Sequence, residues 1–466
     1  MLVFGRRFFF LILGFSIWAG VAHADASDRQ VEEEKRKVLE KSEFRVLEGE
    51  GRFLFDYGAW IDFRYTNYKD DDNDSETPDS LRETFEADNR FWWKLNIKPP
   101  LDASYDNEHV VYLRLKDLYI KEFPEDESGD YDHDGPHLDY GYAILDLRPY
   151  KIEAGRRYFN VGRGIAYSNV GDGFQINYMR PGWNVGLLAA HTLPHEDNID
   201  ISVPGFSKDS DRYYYALGAG YAGIPHHQLY GYCLVQRDFS HEEPNDLNQD
   251  FTYDSEYIGI GSKGNITPHL GYWVEVIKQS GTSHVFGTNE ESDIDALGAN
   301  AGAEYQWDMT SRPRLSFEYA YGSGDSERVS VTDTEGGNLS GDDHNFLYFG
   351  YFPAGYALAP RLSNIHIYRV GANCYPFEGI RALKNLNLGA DYFWYSKDRS
   401  QGGISDPEAT ADSHNIGSEM NLTVSWQILS DLKWAMSYGY FMAGDAYADT
   451  ANDANQYFSN SLILTF

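Results

Sequence analysis

Cysteine is almost absent: Cys233 and Cys374 are the only two in 466 residues. A disulfide framework or a thiolate metal site needs more of them, more closely spaced. Both fall in strand-like segments five strands apart, too distant for a bond. Long apolar runs are also missing. Outside Phe8 to Gly20, nothing approaches the roughly 20 apolar residues of a spanning helix. Positive charge is scarce, with 39 Lys and Arg against 72 Asp and Glu and a formal net charge of −33. That balance speaks against nucleic acid as a partner, since binding it depends on neutralising phosphates. Catalytic arrangements are lacking too. His191, His227, His366 and His414 are scattered, and none accompanies a serine as nucleophilic catalysis at a membrane rim would require. No enzyme is expected.

Aromatic residues are plentiful, at 16% of the chain with 36 Tyr, yet the mean hydropathy is −0.53. Apolar side chains alternate with polar ones, as in strands with one face in lipid and the other in water. The gaps between these segments alternate in length. Short ones include Arg148-Pro149, Arg180-Pro181-Gly182, Gly223-Ile224-Pro225, Asn265-Ile266-Thr267-Pro268 and Leu429-Ser430-Asp431. Long ones run from Lys69 to Thr84, Glu122 to His137, Leu193 to Ser210 and Asp398 to Asn415. The first carries Asp70, Asp71, Asp72, Asp74, Glu76, Asp79 and Glu83.

The alternation predicts strands over 53–67, 86–98, 109–121, 137–148, 150–158, 171–181, 183–192, 211–222 and 227–238. It continues over 253–264, 268–280, 294–307, 313–323, 362–375, 386–397, 416–427, 431–442 and 455–466. That is eighteen strands, or sixteen if the fourth and fifth are misread. The fold class is all-β: a transmembrane antiparallel β-barrel with long acidic extracellular loops and short periplasmic turns.

Residues 1–24 read as a signal peptide, with Arg6 and Arg7, the apolar Phe8 to Gly20, and cleavage after Ala22-His23-Ala24. Residues 25–50 read as a polar periplasmic segment and 51–466 as the barrel, ending on an aromatic carboxy-terminus at Phe466. The expected location is the outer membrane of a Gram-negative-type bacterium, with its lipid and lipopolysaccharide as partners.

Alternation also sorts the faces. Tyr57, Ala59, Ile61, Phe63 and Tyr65 oppose Trp60, Asp62 and Arg64; Phe91, Trp93, Leu95 and Ile97 oppose Arg90, Trp92, Lys94 and Asn96. Val111, Leu113 and Leu115 oppose Tyr112, Arg114 and Lys116. A charge in a lipid-facing row costs about 2–4 kcal/mol near the midplane, so the charged rows face the lumen. Eighteen strands close at roughly 35 Å backbone diameter, too wide for side chains to fill. Further basic groups are Arg156, Arg157 and Arg163, then Arg361, Arg369 and Arg381. Rings of arginine and lysine select anions. The competing reading is bracing of the wall by acids such as Asp62, Glu153 and Asp391. Interleaved aromatics suit a charged polysaccharide, whose rings stack on them.

Asp130-x-Asp132-x-Asp134-Gly135 matches half of a calcium loop, but Gly141 stands where the bidentate Glu belongs, which excludes an EF-hand. Asp130, Asp132 and Asp134 remain candidates for a looser Ca²⁺ site. No other cofactor is expected. Elsewhere the acidic loops either keep the surface soluble or bridge to lipopolysaccharide phosphates through divalent cations.

Five motifs in order resemble the alginate export family of outer-membrane barrels. They are Tyr150-x-Ile152-x-Ala154-Gly155-Arg156-Arg157 with Val161-Gly162-Arg163; Tyr321-Gly322-Ser323-Gly324-Asp325; Arg361-Leu362-Ser363-Asn364-Ile365; Ile416-Gly417-Ser418-Glu419; and Gly439-Tyr440-Phe441-x-x-Gly444-Asp445-Ala446-Tyr447. The resemblance implies an eighteen-stranded barrel with an arginine-rich conduit for an anionic polysaccharide; periplasmic secretion proteins are candidate partners. Arg156 and Arg361 are the positions it carries over to the conduit. Arg157 replaces the family's glutamine, and the turn Leu429 to Asp431 is shorter than the family's periplasmic plug. The acidic loop Glu122 to His137 is therefore the expected constriction. A general or small-solute porin is the alternative.

Overall fold

The computed structural model describes residues 53–69, 81–97, 109–123, 131–193, 210–240, 252–285, 288, 290–328, 338–448 and 454–466. Residues 1–52, which hold the expected signal peptide and polar segment, lie outside these, as do Asp130 and much of the acidic loops.

Eighteen strands are present among the described residues. They are β1 (Phe53–Lys69), β2 (Leu81–Ile97), β3 (His109–Phe123), β4 (Tyr131–Leu147), β5 (Tyr150–Val161) and β6 (Tyr167–Arg180). Next come β7 (Trp183–His191), β8 (Arg212–Tyr221), β9 (His227–Asp238), β10 (Asp254–Thr267), β11 (Leu270–His284) and β12 (Glu291–Gln306). The last six are β13 (Arg314–Gly322), β14 (Ile365–Cys374), β15 (Leu386–Lys397), β16 (Asn415–Gln427), β17 (Leu432–Ala443) and β18 (Gln456–Thr465). Each expected strand is found. The largest boundary change is in β4, which begins at Tyr131 where the sequence suggested 137.

Every strand pairs antiparallel with its sequence neighbours, and β1 pairs with β18 to close the barrel. At the seam Ala59 and Phe466 exchange backbone hydrogen bonds of 2.9 and 3.1 Å. A side-chain link reinforces it, with the Ser461 hydroxyl donating to Asp62 at 2.5 Å. Closure satisfies the backbone polar groups that an open edge would leave bare in lipid.

Burial follows the expected alternation. In β1, Phe55, Tyr57 and Phe63 are exposed on the outer face while Trp60, Asp62 and Arg64 are buried inside. Phe91 and Trp93 point out of β2, and Arg90, Trp92 and Lys94 point in. In β3, Val111 and Leu113 are outside while Tyr112 and Arg114 are inside. β1 has 17 residues. At about 3.3 Å per residue and a tilt of about 40°, such a strand rises well above an apolar band about 25 Å tall. Its long-loop end therefore stands clear of the hydrocarbon.

That geometry corrects one expectation. Arg156 does not face the lumen. Its ladder partner is Asp172, in the outward row of Phe174, and the two form a double hydrogen bond at 2.9 and 2.8 Å. Asp172 is in register with His191, whose ring meets Asp211 at 2.6 Å. These groups form an outward polar ladder at the long-loop end, where the cost of charge is small.

Candidate functional site

The lumen is not an open tube. Among the described residues, the segment from Ser323 to Asn364 joins β13 to β14 by folding into the barrel. Phe346, Leu347, Tyr348, Phe349, Phe352, Ala354, Ala357 and Leu362 are all buried there. This apolar stretch follows an acidic one and carries no acid itself, and it can be buried only inside the cylinder.

One end is held by β10 and β11. The Leu347 carbonyl accepts from Tyr257 Oη at 2.8 Å, and its N–H donates to Gln279 Oε1 at 3.0 Å. The middle pairs with the β5–β6 turn, where Phe349 N–H reaches the Ala166 carbonyl at 3.1 Å and Tyr351 N–H reaches Gly164 at 3.0 Å. The far end docks on β15, β16 and the start of β18. Glu419 of β16 receives three successive backbone N–H groups, from Tyr356 at 2.5 Å, Ala357 at 3.0 Å and Leu358 at 3.0 Å. Tyr395 Oη donates to Glu419 at 3.2 Å and to the Ala354 carbonyl at 2.6 Å. Tyr356 stacks on Tyr457 with centroids 5.6 Å apart. The segment thus crosses the lumen from β10 to β18. It constricts the lumen where the loop Glu122 to His137 was expected to. Of that loop, residues 131–137 belong to β4, and residues 124–130 lie outside the described residues.

Gly355 allows the close approach. Its φ is +128°, and a Cβ there would meet Tyr395 Oη at 2.6 Å and Glu419 at 2.7 Å. The β5–β6 turn makes a second inward contact. Arg163 N–H donates to Glu275 at 2.8 Å and its Nε to Asn300 at 3.0 Å, on β11 and β12. Glu275 also accepts from Tyr230 at 2.5 Å and Tyr232 at 3.0 Å.

The expected basic residues occupy two parts of the wall. On β1–β5, Arg64 meets Asp62 at 3.0 Å. Arg90 forks onto Asp88 at 3.0 and 2.8 Å and reaches Asp139 at 3.4 Å. Arg114 bonds Asp139 at 2.6 Å and lies 3.8 Å over the Tyr140 ring. Arg157 and Lys151 both pair with Glu153. Arg157 also lies over the rings of Tyr142 and Phe159. Trp92, Tyr112 and Tyr142 stack in sequence, with centroids 6.4 and 5.0 Å apart. Lys94 is buried on the same wall and Lys116 is half-buried. On β12–β15, Arg369 bonds Asp391 at 2.8 Å and Glu318 at 3.3 Å. Arg163 is 4.0 Å from the same Glu318.

Arg361 lies in the crossing segment just before β14, not in the wall, and donates to the Tyr348 carbonyl at 2.6 Å. Arg381 is exposed in the β14–β15 turn, away from the conduit. Asp132 and Asp134 are on β4 rather than in a loop, and an extended strand does not wrap around an ion. Asp134 meets His137 Nδ1 at 3.2 Å. No group of three metal-type ligands occurs among the described residues.

Asp139 is a residue that alternation could not find. Arg114 and Leu115 of β3 pair with Tyr140 and Leu138, which leaves Asp139 unpaired in a bulge. Bulges re-aim side chains, and this one brings a carboxylate inward between two arginines.

The family motifs collect at the joints of the crossing segment. The Ser323 carbonyl accepts from Phe346 N–H at 2.9 Å and Asn364 N–H at 3.1 Å. The Asn364 side chain bonds Arg399 and Gly403 of the β15–β16 loop. Glu419 is the last residue of its motif. Tyr447, beyond β17, donates to Asp406 at 2.8 Å, and burial first, then Asp406, holds its phenol well above the ordinary value.

Alginate export is the family matched, over residues 126–460. The chain belongs to the alginate export family. It is accordingly an outer-membrane channel of a transport family rather than a member of a known enzyme family. The comparison with curated proteins returns no match. Among solved structures it is similar to OccK8 (OprE) of Pseudomonas aeruginosa, at 11% identity and TM-score 0.57, covering 88% of this chain and 98% of that one. It is also similar to OccAB4 of Acinetobacter baumannii, at 11% identity and TM-score 0.53, with 88% and 98% covered. At such identities the likeness extends to the barrel fold alone.

Proposed function

We propose that this alginate export family barrel passes an anionic, uronate-containing polysaccharide outward along the arginine- and aromatic-lined lumen beside the crossing segment. The supporting observation is the alternation of guanidinium groups with aromatic faces on the lumen side of β1–β5, opposite the Arg163–Glu318–Arg369 cluster. Exposure separates two roles for the arginines. The side chains of Arg64, Arg90 and Arg114 are 7, 3 and 3% accessible, and these residues brace the wall. Those of Arg157, Arg163 and Arg369 are 24, 28 and 29% accessible and can offer donors to a passing carboxylate. A paired guanidinium still has donors to spare, because it carries five N–H groups and a carboxylate rarely takes more than two.

Passive movement of a polyanion suits such a surface, where matched acids keep each arginine from binding too tightly to release. The test is single-channel conductance in planar bilayers, with reversal potentials and added uronate oligomers. Anion preference with oligomer blockade, weakened by Arg369→Ala or Arg163→Ala and untouched by the outward Arg156→Ala, supports the reading. Cation preference without blockade would leave a small-solute porin.

A further inference from the structure

The connection between β14 and β15, residues 375–385, lies at the short-turn end of the barrel, the periplasmic end in outer-membrane barrels. It is longer than its neighbours, residues 307–313 and 428–431, and it is built of tight turns. Ile380 N–H bonds the Phe377 carbonyl, Leu383 bonds Ile380 and Leu386 bonds Leu383, each at 2.9 Å. These are separate tight turns laid end to end. They carry Phe377, Ile380 and Leu383 together with Glu378, Arg381 and Lys384.

The connection is fastened on both sides. Arg312 of the β12–β13 turn meets Glu378 at 3.4 Å and lies 4.3 Å over the Tyr375 ring. Trp426 Nε1 donates to the Ala382 carbonyl at 3.1 Å. Trp426 belongs to the lipid-facing row of β16, with Met420 and Leu422. The connection is thus tied to the outer wall at the level where tryptophans mark the membrane interface.

Its side chains are unlike those of an ordinary solvated turn. Phe377 and Ile380 are 41 and 52% accessible, beside the exposed Trp307 and Met309 of the β12–β13 turn. Arg381 and Lys384 are exposed and form no ion pair among the described residues. Unpaired cations are conspicuous in a chain of net charge −33.

We propose that residues 375–385 are an interfacial anchor. Phe377 and Ile380 seat at the boundary of headgroups and acyl chains in the periplasmic leaflet, and Arg381 and Lys384 bind the phosphate of an anionic phospholipid. Continuity with the lipid-facing row and charge complementarity select this occupant: apolar side chains in the interface with basic ones at the headgroups are how peripheral segments hold anionic lipid.

Two measurements on the full-length refolded barrel test it, with heat-modifiable gel mobility confirming folding. First, Ile380→Cys in a Cys233→Ser, Cys374→Ser background carries a nitroxide in vesicles of phosphatidylcholine and phosphatidylglycerol. Greater collision with oxygen than with a water-soluble nickel complex is expected. The reverse, a label in water as for a turn that docks a periplasmic protein, overturns the proposal. Second, native mass spectrometry from mixed micelles compares retention of phosphatidylglycerol with that of phosphatidylcholine. Arg381→Gln with Lys384→Gln should lower the preference roughly tenfold, and an unchanged preference refutes the headgroup site. Conductance and oligomer blockade are expected to stay as in the wild type, so this outcome is independent of the transported substrate.

Discussion

Replacing Glu419 by glutamine should loosen the crossing segment without disturbing the barrel. In the wild type, Oε1 accepts from Tyr356 and Ala357, and Oε2 accepts from Leu358 and Tyr395. An amide keeps one acceptor oxygen and turns an NH₂ group toward the other donors. Tyr395 can fall back on the Ala354 carbonyl, which it already reaches at 2.6 Å. The Leu358 N–H has no such alternative. Leaving one buried donor unmet costs about 1–3 kcal/mol, and the two remaining bonds lose their charge assistance, about 1 kcal/mol together. The sum, about 3 kcal/mol, raises the population of the released segment about 100-fold. Single-channel recordings should then show added openings of higher conductance, while heat-modifiable mobility stays that of the folded barrel. Glu419→Asp, which keeps the charge one methylene short, should fall between the two. A folded Glu419→Gln barrel with wild-type conductance and no added openings would show that this latch does not hold the constriction.

Further outcomes follow from the same geometry. Gly355→Ala should act like Glu419→Gln, because its Cβ would strike Tyr395 and Glu419 at a positive φ; a conductance trace is again the readout. Asp139→Ala should destabilise the barrel by about 2 kcal/mol in urea unfolding, since it removes the 2.6 Å charged bond to buried Arg114 while Arg90 keeps its fork on Asp88, whereas Arg156→Ala, on the outer ladder, should cost under 1 kcal/mol. Gly162→Ala should displace the β5–β6 turn, because its Cβ would lie 2.5 Å from the Tyr232 ring and 2.8 Å from Glu275. That shift should appear as altered oligomer blockade with the barrel still folded.

The barrel was legible in the sequence because its physics is local. Lipid on one side and water on the other impose a period of two, and that period is regular through β1 and β2 and most of the wall, so strand number and facing of β1–β3 follow from composition along the chain. The closing aromatic strand was legible for the same reason. Two features were not. A bulge breaks the period, so Asp139 could not be seen turning inward, and strand height beyond the hydrocarbon let Arg156 face outward although its motif pointed to the conduit. The destination of the β13–β14 connection was also out of reach. Its apolar residues carry no period, and only the closed cylinder supplies an interior in which to bury them. The motifs around Ser323, Arg361, Asn364 and Glu419 were visible as a family pattern, but their role as fastenings depends on residues distant in sequence, such as Glu419 and Tyr356, 63 positions apart, meeting across the lumen. Alternation determined the wall; tertiary closure decided what fills it, because hydrogen-bond partners for a crossing chain exist only once the far wall has come round.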